Sequence, residues 1–246
     1  MTDASYRDAL FTTPLDRVAS FSFDEQVVRC FPDMIRRSVP GYGQIIGMLG
    51  VIAARHLRRG AHVYDLGCSL GASTLALCQQ LPADAFTLDA VDLSPAMVER
   101  AREVLTEHCP GYTVNVHEGD IRHFPLRSAG LIMVNFTLQF LDPEDREAVI
   151  DRLYRTLEPG GMLILAEKIT FADPTRAALM IDWHHDFKRA NGYSELEISQ
   201  KRNALEHVMI PDTLETHHDR LARSGFNRHY TWFQHLNFAA MVAFRD

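Results

Sequence analysis

The residues best placed to do chemistry follow a short apolar run, Val63-Tyr64-Asp65-Leu66, as Asp65-x-Gly67-x-Ser69-x-Gly71. Gly67 permits a tight turn after a strand, the small Ser69 lets a ligand approach the backbone, and Gly71 lets the next helix pack closely. The spacing is not G-x-G-x-x-G, because position 69 is not glycine and Gly71 is out of step, which weakens a dinucleotide reading. Two carboxylates follow at the ends of later apolar runs. Asp92 can accept hydrogen bonds from both hydroxyls of a ribose. Asp120, in Glu118-Gly119-Asp120-Ile121, can accept from an adenine amino group while Ile121 packs on the ring. Each has a plainer alternative: Asp92 as a helix-entry acid, although Ser94 is the better cap, and Asp120 as a turn aspartate.

These residues need strands to carry them, and the chain supplies an alternation of strands and helices. Strands are expected at Val63–Leu66, Phe86–Val91, Thr113–His117, Leu131–Asn135 and Met162–Ala166, with helices at Ala72–Gln80, Ser94–His108 and Pro143–Leu157. Ser94-Pro95 is a strong helix start, since proline at the first helical position loses no hydrogen bond. The alternation predicts an α/β, Rossmann-like, mostly parallel seven-stranded sheet with right-handed crossovers. Near the end, His229–Phe233 and Phe238–Phe244 read as strands joined too tightly for a helical crossover, so the C-terminal strand is expected to run antiparallel. A helix at His218–Ser224 precedes them. One domain over 1–246 is expected, with an N-terminal helical cap over 1–58 broken at Pro40-Gly41. A helical insertion over 171–216 would overhang the carboxyl ends of the strands, where open α/β sheets bind ligands.

The chain has 246 residues, 46% hydrophobic, with 25 Lys+Arg against 32 Asp+Glu and a formal net charge of −7. That balance argues against a broad footprint for a nucleic acid and favours a small-molecule partner. Cys30, Cys68, Cys78 and Cys109 lie far apart, without metal-ligand spacing, and read as reduced thiols; no metal is expected. The opening residues 1–11 lack an apolar leader core. No apolar run approaches the roughly 18–20 residues that span a bilayer. A cytoplasmic protein with no membrane contact is expected.

The glycines and acids stand in the order used by the class I methyltransferase superfamily, so they imply S-adenosylmethionine (SAM) as ligand. Leu157-Glu158-Pro159-Gly160-Gly161 resembles that superfamily's turn before its fifth strand, and Arg220 to Phe226 its last helix. The end of the fourth strand, Asn135-Phe136-Thr137-Leu138-Gln139-Phe140, lacks the acid or Asn-Pro-Pro signature of many N- and O-methyltransferases, and no base for an acceptor stands out. Cys68 reads as structural. His184-His185 reads as polar helix surface, because adjacent helical residues point apart.

Arg36 to Tyr42, Tyr64 to Gly71, Asn135 to Phe140 and above all His184 to Arg202 resemble the carboxy-S-adenosyl-L-methionine synthase family, and the similarity extends from Arg7 to Phe244. The resemblance implies that SAM is a substrate rather than a cofactor and that prephenate is the carboxyl donor. It implies carboxy-SAM and phenylpyruvate as products, with carboxy-SAM then used in tRNA wobble-uridine carboxymethylation by a separate enzyme. It implies a homodimer. The ligand-binding positions it implies are Tyr42, Gly67, Cys68, Ser69, Asp92, Leu93, Asp120, Ile121, Asn135 and Arg202. The resemblance implies Arg202 as the catalytic residue, gripping the new carboxylate from the partner subunit. Leu93 departs from the family pattern, which has Asn there. The alternatives are a methyltransferase of a small molecule or tRNA, and a non-catalytic SAM-binding module.

Overall fold

A computed structural model describes residues 7–15 and 17–246; residues 1–6, part of the opening segment read above for a leader, lie outside them. Seven strands form one sheet in the order β3-β2-β1-β4-β5-β8-β7. They are β1 (Ala61–Leu66), β2 (Phe86–Asp92), β3 (Thr113–Glu118), β4 (Ala129–Asn135), β5 (Leu157–Thr170), β7 (Arg228–His235) and β8 (Phe238–Phe244). Only β8 is antiparallel, to β5 on one side and β7 on the other. The expected seven-stranded sheet is therefore present. A two-residue strand, β6 (Asp212–Thr213), also pairs with the end of β5.

The first helices are α1 (Glu25–Ser38) and α2 (Tyr42–His56), separated at Pro40-Gly41. Gly41, at φ 77°, makes the turn between them. α3 (Ala72–Gln80) follows β1, and α4 (Pro95–His108) follows β2 with the Ser94 hydroxyl accepting from the Met97 amide. α5 (Arg146–Thr156) starts three residues later than expected. Its first residue is fixed instead by burial: the Arg146 guanidinium donates to the carbonyls of Leu141 and Ile210. Ala129 pairs with Leu157 but Leu131 with Met162, so Glu158 to Gly161 loop out and β5 begins before the Pro-Gly-Gly turn.

The insertion contains α6 (Pro174–Ala190) and α7 (Glu195–Leu205); α7 opens with a capping box between Ser194 and Glu197. α8 (Leu214–Arg223) begins four residues before the expected helix, capped by Thr213. Alternate strand residues feed two cores. Leu66, Ile132 and Val134 face α5 and α8, while Val63, Leu131 and Met133 face α2 and α3. α1 packs Val27, Cys30 and Met34 against Met97 of α4, which brings the cap over the carboxyl edge of the sheet.

Candidate active site at the carboxyl end of the sheet

β1 ends at Leu66 and the chain turns through three left-handed residues: Gly67 at φ 78°, Ser69 at 49° and Gly71 at 82°. The need for glycine at 67 is also steric, because a Cβ there would lie 2.5 Å from Cγ2 of Thr137 and closer still to its Oγ1. The loop after β4 is thus pressed against the loop after β1, and the Thr137 hydroxyl donates to the Leu66 carbonyl at 3.2 Å.

The loop amides do not face a ligand. Gly67 and Cys68 both donate to the Val91 carbonyl, at 2.8 and 3.0 Å, and Ser69 donates to Asp92 Oδ2 at 2.8 Å. Asp92 Oδ1 accepts from the Ser94 amide at 2.9 Å. The backbone contribution expected from Gly67, Cys68 and Ser69 is therefore confined to carbonyl oxygens, which suit the ammonium of an amino acid. Asp92 retains lone pairs on both oxygens beyond the two amides it caps, as a bidentate ribose contact requires. Burial pushes its carboxyl up, and the Ser94 and Ser69 amides oppose that.

Asp65 lies behind the loop, fully buried, with Thr74 donating to it at 2.7 Å. Burial raises its carboxyl to about 6. Asp65 and Asp92 both add to the burial that drives the Cys68 thiol far up its scale, so Cys68 stays a protonated, structural thiol, as expected. The two acids make the loop electronegative, which favours a ligand carrying a sulfonium and an ammonium.

Asp120 is held more tightly than expected. The Arg122 guanidinium grips both its oxygens, at 2.6 to 3.0 Å, and reaches Asp145 at 2.7 Å. That pairing holds the Asp120 carboxyl below its usual range, leaving it a charged acceptor. The Ile121 side chain, 5% exposed, packs in the core with Leu66, Val91 and Leu138 beside Asp120. Leu93 is 66% exposed and packs on nothing substantial.

At the end of β4, the Asn135 amide donates to the Ser73 hydroxyl at 2.9 Å, while its Oδ1 is buried without a partner among the described residues. A buried acceptor left unmade is costly, so this oxygen is poised for a ligand donor. Phe136 follows at φ 57°, a strained conformation for a bulky residue. It is held there from both sides. Its amide donates to the Ala166 carbonyl at 2.5 Å, and the next three amides donate to the buried carboxyl of Glu167 at 2.9 to 3.1 Å. The strain aims the Phe136 ring between Tyr42, 6.0 Å away, and Phe238, 6.3 Å away. Tyr42 is thus brought from the cap to the site.

His184 is not polar surface. It is buried, its Nε2 donates to the Ser38 carbonyl at 2.7 Å, and its ring stands edge-on to Phe238 at 5.0 Å. Burial, helped by Lys188, pushes it down to about 2, so it is neutral. The insertion therefore packs onto the cap and the sheet through this side chain. Arg202 stands on the exposed face of α7, and its charge contributes, after burial, Lys188 and Arg189, to depressing His185. The sequence reading missed Glu167, which clamps the loop after β4, and Lys168 beside it. Their one signal was position, directly after the fifth strand as expected from the sequence, Met162–Ala166.

Among the described residues, no group of three or more His, Cys, Asp or Glu stands close enough to hold a metal, and no helix is long and apolar enough to cross a membrane. Residues 63–161 match the family model described as "Methyltransferase domain". In fold the chain is similar to an O-methyltransferase family protein from Burkholderia thailandensis, with TM-score 0.66 and 20% identity over 91% of this chain and 61% of that one. It is similar also to human N-acetylserotonin methyltransferase, with TM-score 0.58 and 17% identity over 90% of this chain and 55% of that one. The chain thus spans about three fifths or less of those two structures, and the likeness concerns the fold. Whole-chain sequence similarity is far stronger. The chain is 70% identical, over 100% of its length and 91% of the relative's, to carboxy-S-adenosyl-L-methionine synthase of Chromohalobacter salexigens. It is 52% identical to that of Psychrobacter sp., over 97% and 91%, and 50% identical to that of Escherichia coli, over 98% and 98%. On this similarity, spanning cap, sheet and insertion alike, the chain belongs to the carboxy-S-adenosyl-L-methionine synthase family.

Proposed function

We propose that this enzyme carboxylates the S-methyl carbon of SAM, with prephenate as the carboxyl donor, and releases carboxy-SAM and phenylpyruvate. The observation that carries the reading is the 70% identity to a carboxy-SAM synthase over the entire chain.

The chemistry balances without a strong protein base. Prephenate dianion loses its ring carboxylate as CO₂ and its ring hydroxyl as hydroxide, and becomes aromatic phenylpyruvate. Hydroxide takes one proton from the sulfonium methyl and leaves as water. The electron pair of the resulting ylide forms a bond to the CO₂ carbon. The protein's part is to hold the fragments together and keep bulk water from quenching the ylide. In this reading Asp92 and Asp120 hold the nucleoside, the Gly67-Cys68-Ser69 turn and Asn135 hold the amino-acid part, and Tyr42 closes the pocket.

The product's new carboxylate needs a cation, and Arg202 supplies it as a bidentate guanidinium. Since Arg202 is exposed on α7, the reading requires a homodimer in which this arginine enters the partner's site. Exposed Leu179, Ile181 and Trp183 on the adjoining α6 are suitable apolar material for such a contact. A separate enzyme would use carboxy-SAM to modify the tRNA wobble uridine, in keeping with the net charge of −7 here. The four free cysteines fit a cytoplasmic location.

Purified protein given SAM and prephenate, followed by liquid chromatography and mass spectrometry, tests the reading. Carboxy-SAM and phenylpyruvate in equal amounts support it. S-adenosylhomocysteine, with a methylated acceptor, would replace it with methyl transfer.

A further inference from the structure

The sheet register places Lys168 on the same wall as the candidate site. Asn135 pairs with Ala166, Ala166 with Ala240 and Lys168 with Phe238, so these residues share one face. The same face receives Ile45 of α2, and the ring of Tyr42 at the start of that helix approaches Phe136. On the other side of Phe238 stands His184, and one helical turn further is Lys188. Lys188 is only 8% exposed, and Lys168 is half-buried.

Neither ammonium has a hydrogen bond or ion pair among the described residues. Lys201, by contrast, pairs with Asp8 at 3.3 Å and donates to the Ser38 hydroxyl at 3.1 Å. His184 gives no counter-charge, since it is neutral and its Nε2 is committed to Ser38. Burial pushes Lys168 down to about 8 and, with the charges of Lys201 and Lys168 and against the weaker pull of Asp8, pushes Lys188 down to about 7. One buried and one half-buried amine, both without a partner beside a wall of aromatic rings, hold their charges poorly unless an anion completes them.

We propose that Lys168 and Lys188 form the anion-binding end of the donor subsite and hold the carboxylate that the donor keeps. This rests on the donor reading above. The carboxylate that departs as CO₂ must not be the one held there, because a cation gripping it would retard its loss. It faces Phe136 and Phe238 instead, where poor solvation favours decarboxylation. A donor bound this way lies with its retained acid toward α6 and its reacting ring toward Asn135 and the sulfonium methyl. Lys168 and Lys188 thereby act as positioning and specificity residues, favouring a donor with two acids over one with a single acid.

The test uses Lys168→Met, Lys188→Met and the corresponding Lys→Arg variants of the full chain, with SAM affinity measured by calorimetry beside steady-state kinetics. The proposal expects the KM for prephenate to rise about tenfold or more in each Met variant, as for loss of a charge-assisted contact. It expects SAM affinity to hold within about threefold, and arginine to recover part of the loss. Unchanged KM values would overturn it. So would an equal loss of SAM affinity, which would show that the lysines hold the methionine carboxylate of SAM. Lysine labelling of the wild-type protein, read by mass spectrometry, covers variants that do not fold. Prephenate, and malonate as a ring-free dicarboxylate, should each protect Lys168 and Lys188 in the presence of SAM, whereas SAM alone should not. Protection by malonate with no turnover of prephenate would discard the donor assignment and keep the anion site. Protection by neither would overturn the site.

Discussion

Gly67 and Thr137 occupy adjoining space so closely that no side chain fits at position 67. The contact joins the loop after β1 to the loop after β4, so two loops of the candidate site are set by one piece of packing. Glu167 locks the second loop from behind through the Thr137, Leu138 and Gln139 amides.

Gly67→Ala should therefore harm both loops at once. The left-handed dihedral alone costs about 1–2 kcal/mol for a residue with a Cβ, and overlap with Thr137 adds to it. SAM affinity should fall at least tenfold by calorimetry, and the added Thr137→Ala change should recover only part of the loss, because it relieves the overlap and not the dihedral. Wild-type affinity in Gly67→Ala would refute the coupling.

Asn135 offers an unpaired buried oxygen. If SAM supplies its donor, Asn135→Ala should weaken SAM binding by about 1–3 kcal/mol, roughly fivefold to 150-fold in Kd. The apo-protein should melt only a few degrees below wild type, since the oxygen makes no bond there and only the amide's bond to Ser73 is lost. A Kd within twofold of wild type would separate Asn135 from the ligand.

Leu93, where the resemblance leads one to expect Asn, projects outward, 66% exposed. Leu93→Asn should change SAM affinity by less than about threefold, as expected for a substitution at an exposed side chain. A larger gain, measured in the same titration, would show that a side-chain hydrogen bond had been missing.

His184 makes the fold sensitive to acid. Its folded value lies near 2, below that of an unfolded histidine near 6.5, so the unfolded chain binds the extra proton. The stability involved is present above pH 6.5 and is lost as pH falls below it, by up to about 1.4 kcal/mol per pH unit. His184→Gln keeps a donor for the Ser38 carbonyl and does not titrate. Denaturant unfolding at pH 7 and pH 5 should show a smaller loss in the variant; equal losses would contradict the assignment.

The subunit exchange proposed for Arg202 predicts complementation. Arg202→Ala and Asp92→Asn chains should each be inactive alone. Refolded together, random pairing in a two-fold dimer puts about a quarter of the sites in the intact combination. Recovery near that level in a synthesis assay supports a shared site, and none would place Arg202 in its own chain's chemistry or outside it altogether.

Legibility of the site in the sequence followed from how local the determinants were. The turn at Gly67 to Gly71 and the Ser94 cap are set by dihedrals and by neighbours a few residues away, so residue types announced them, and the strands of the sheet were readable from the same alternation. The determinants that escaped are long-range. His184 is defined by a carbonyl at Ser38 in another helix, and Lys188 by the want of any partner, which no spacing reveals. α6 carries polar residues on its buried side, so it lacks the apolar stripe that would have marked that face. Asp120 is shared with Arg122, two residues away, a pairing too common in turns to read as part of a site.

The central claim is that carbon moves from the donor to the sulfonium methyl through loss of one methyl hydrogen. SAM with a trideuterated S-methyl group, mixed with prephenate labelled with ¹³C in its ring carboxyl, tests it in one mass spectrum. The account predicts carboxy-SAM that has kept two deuterons and gained the ¹³C, with unlabelled phenylpyruvate beside it. A product retaining all three deuterons on an acceptor other than SAM, or carboxy-SAM without ¹³C, would contradict it.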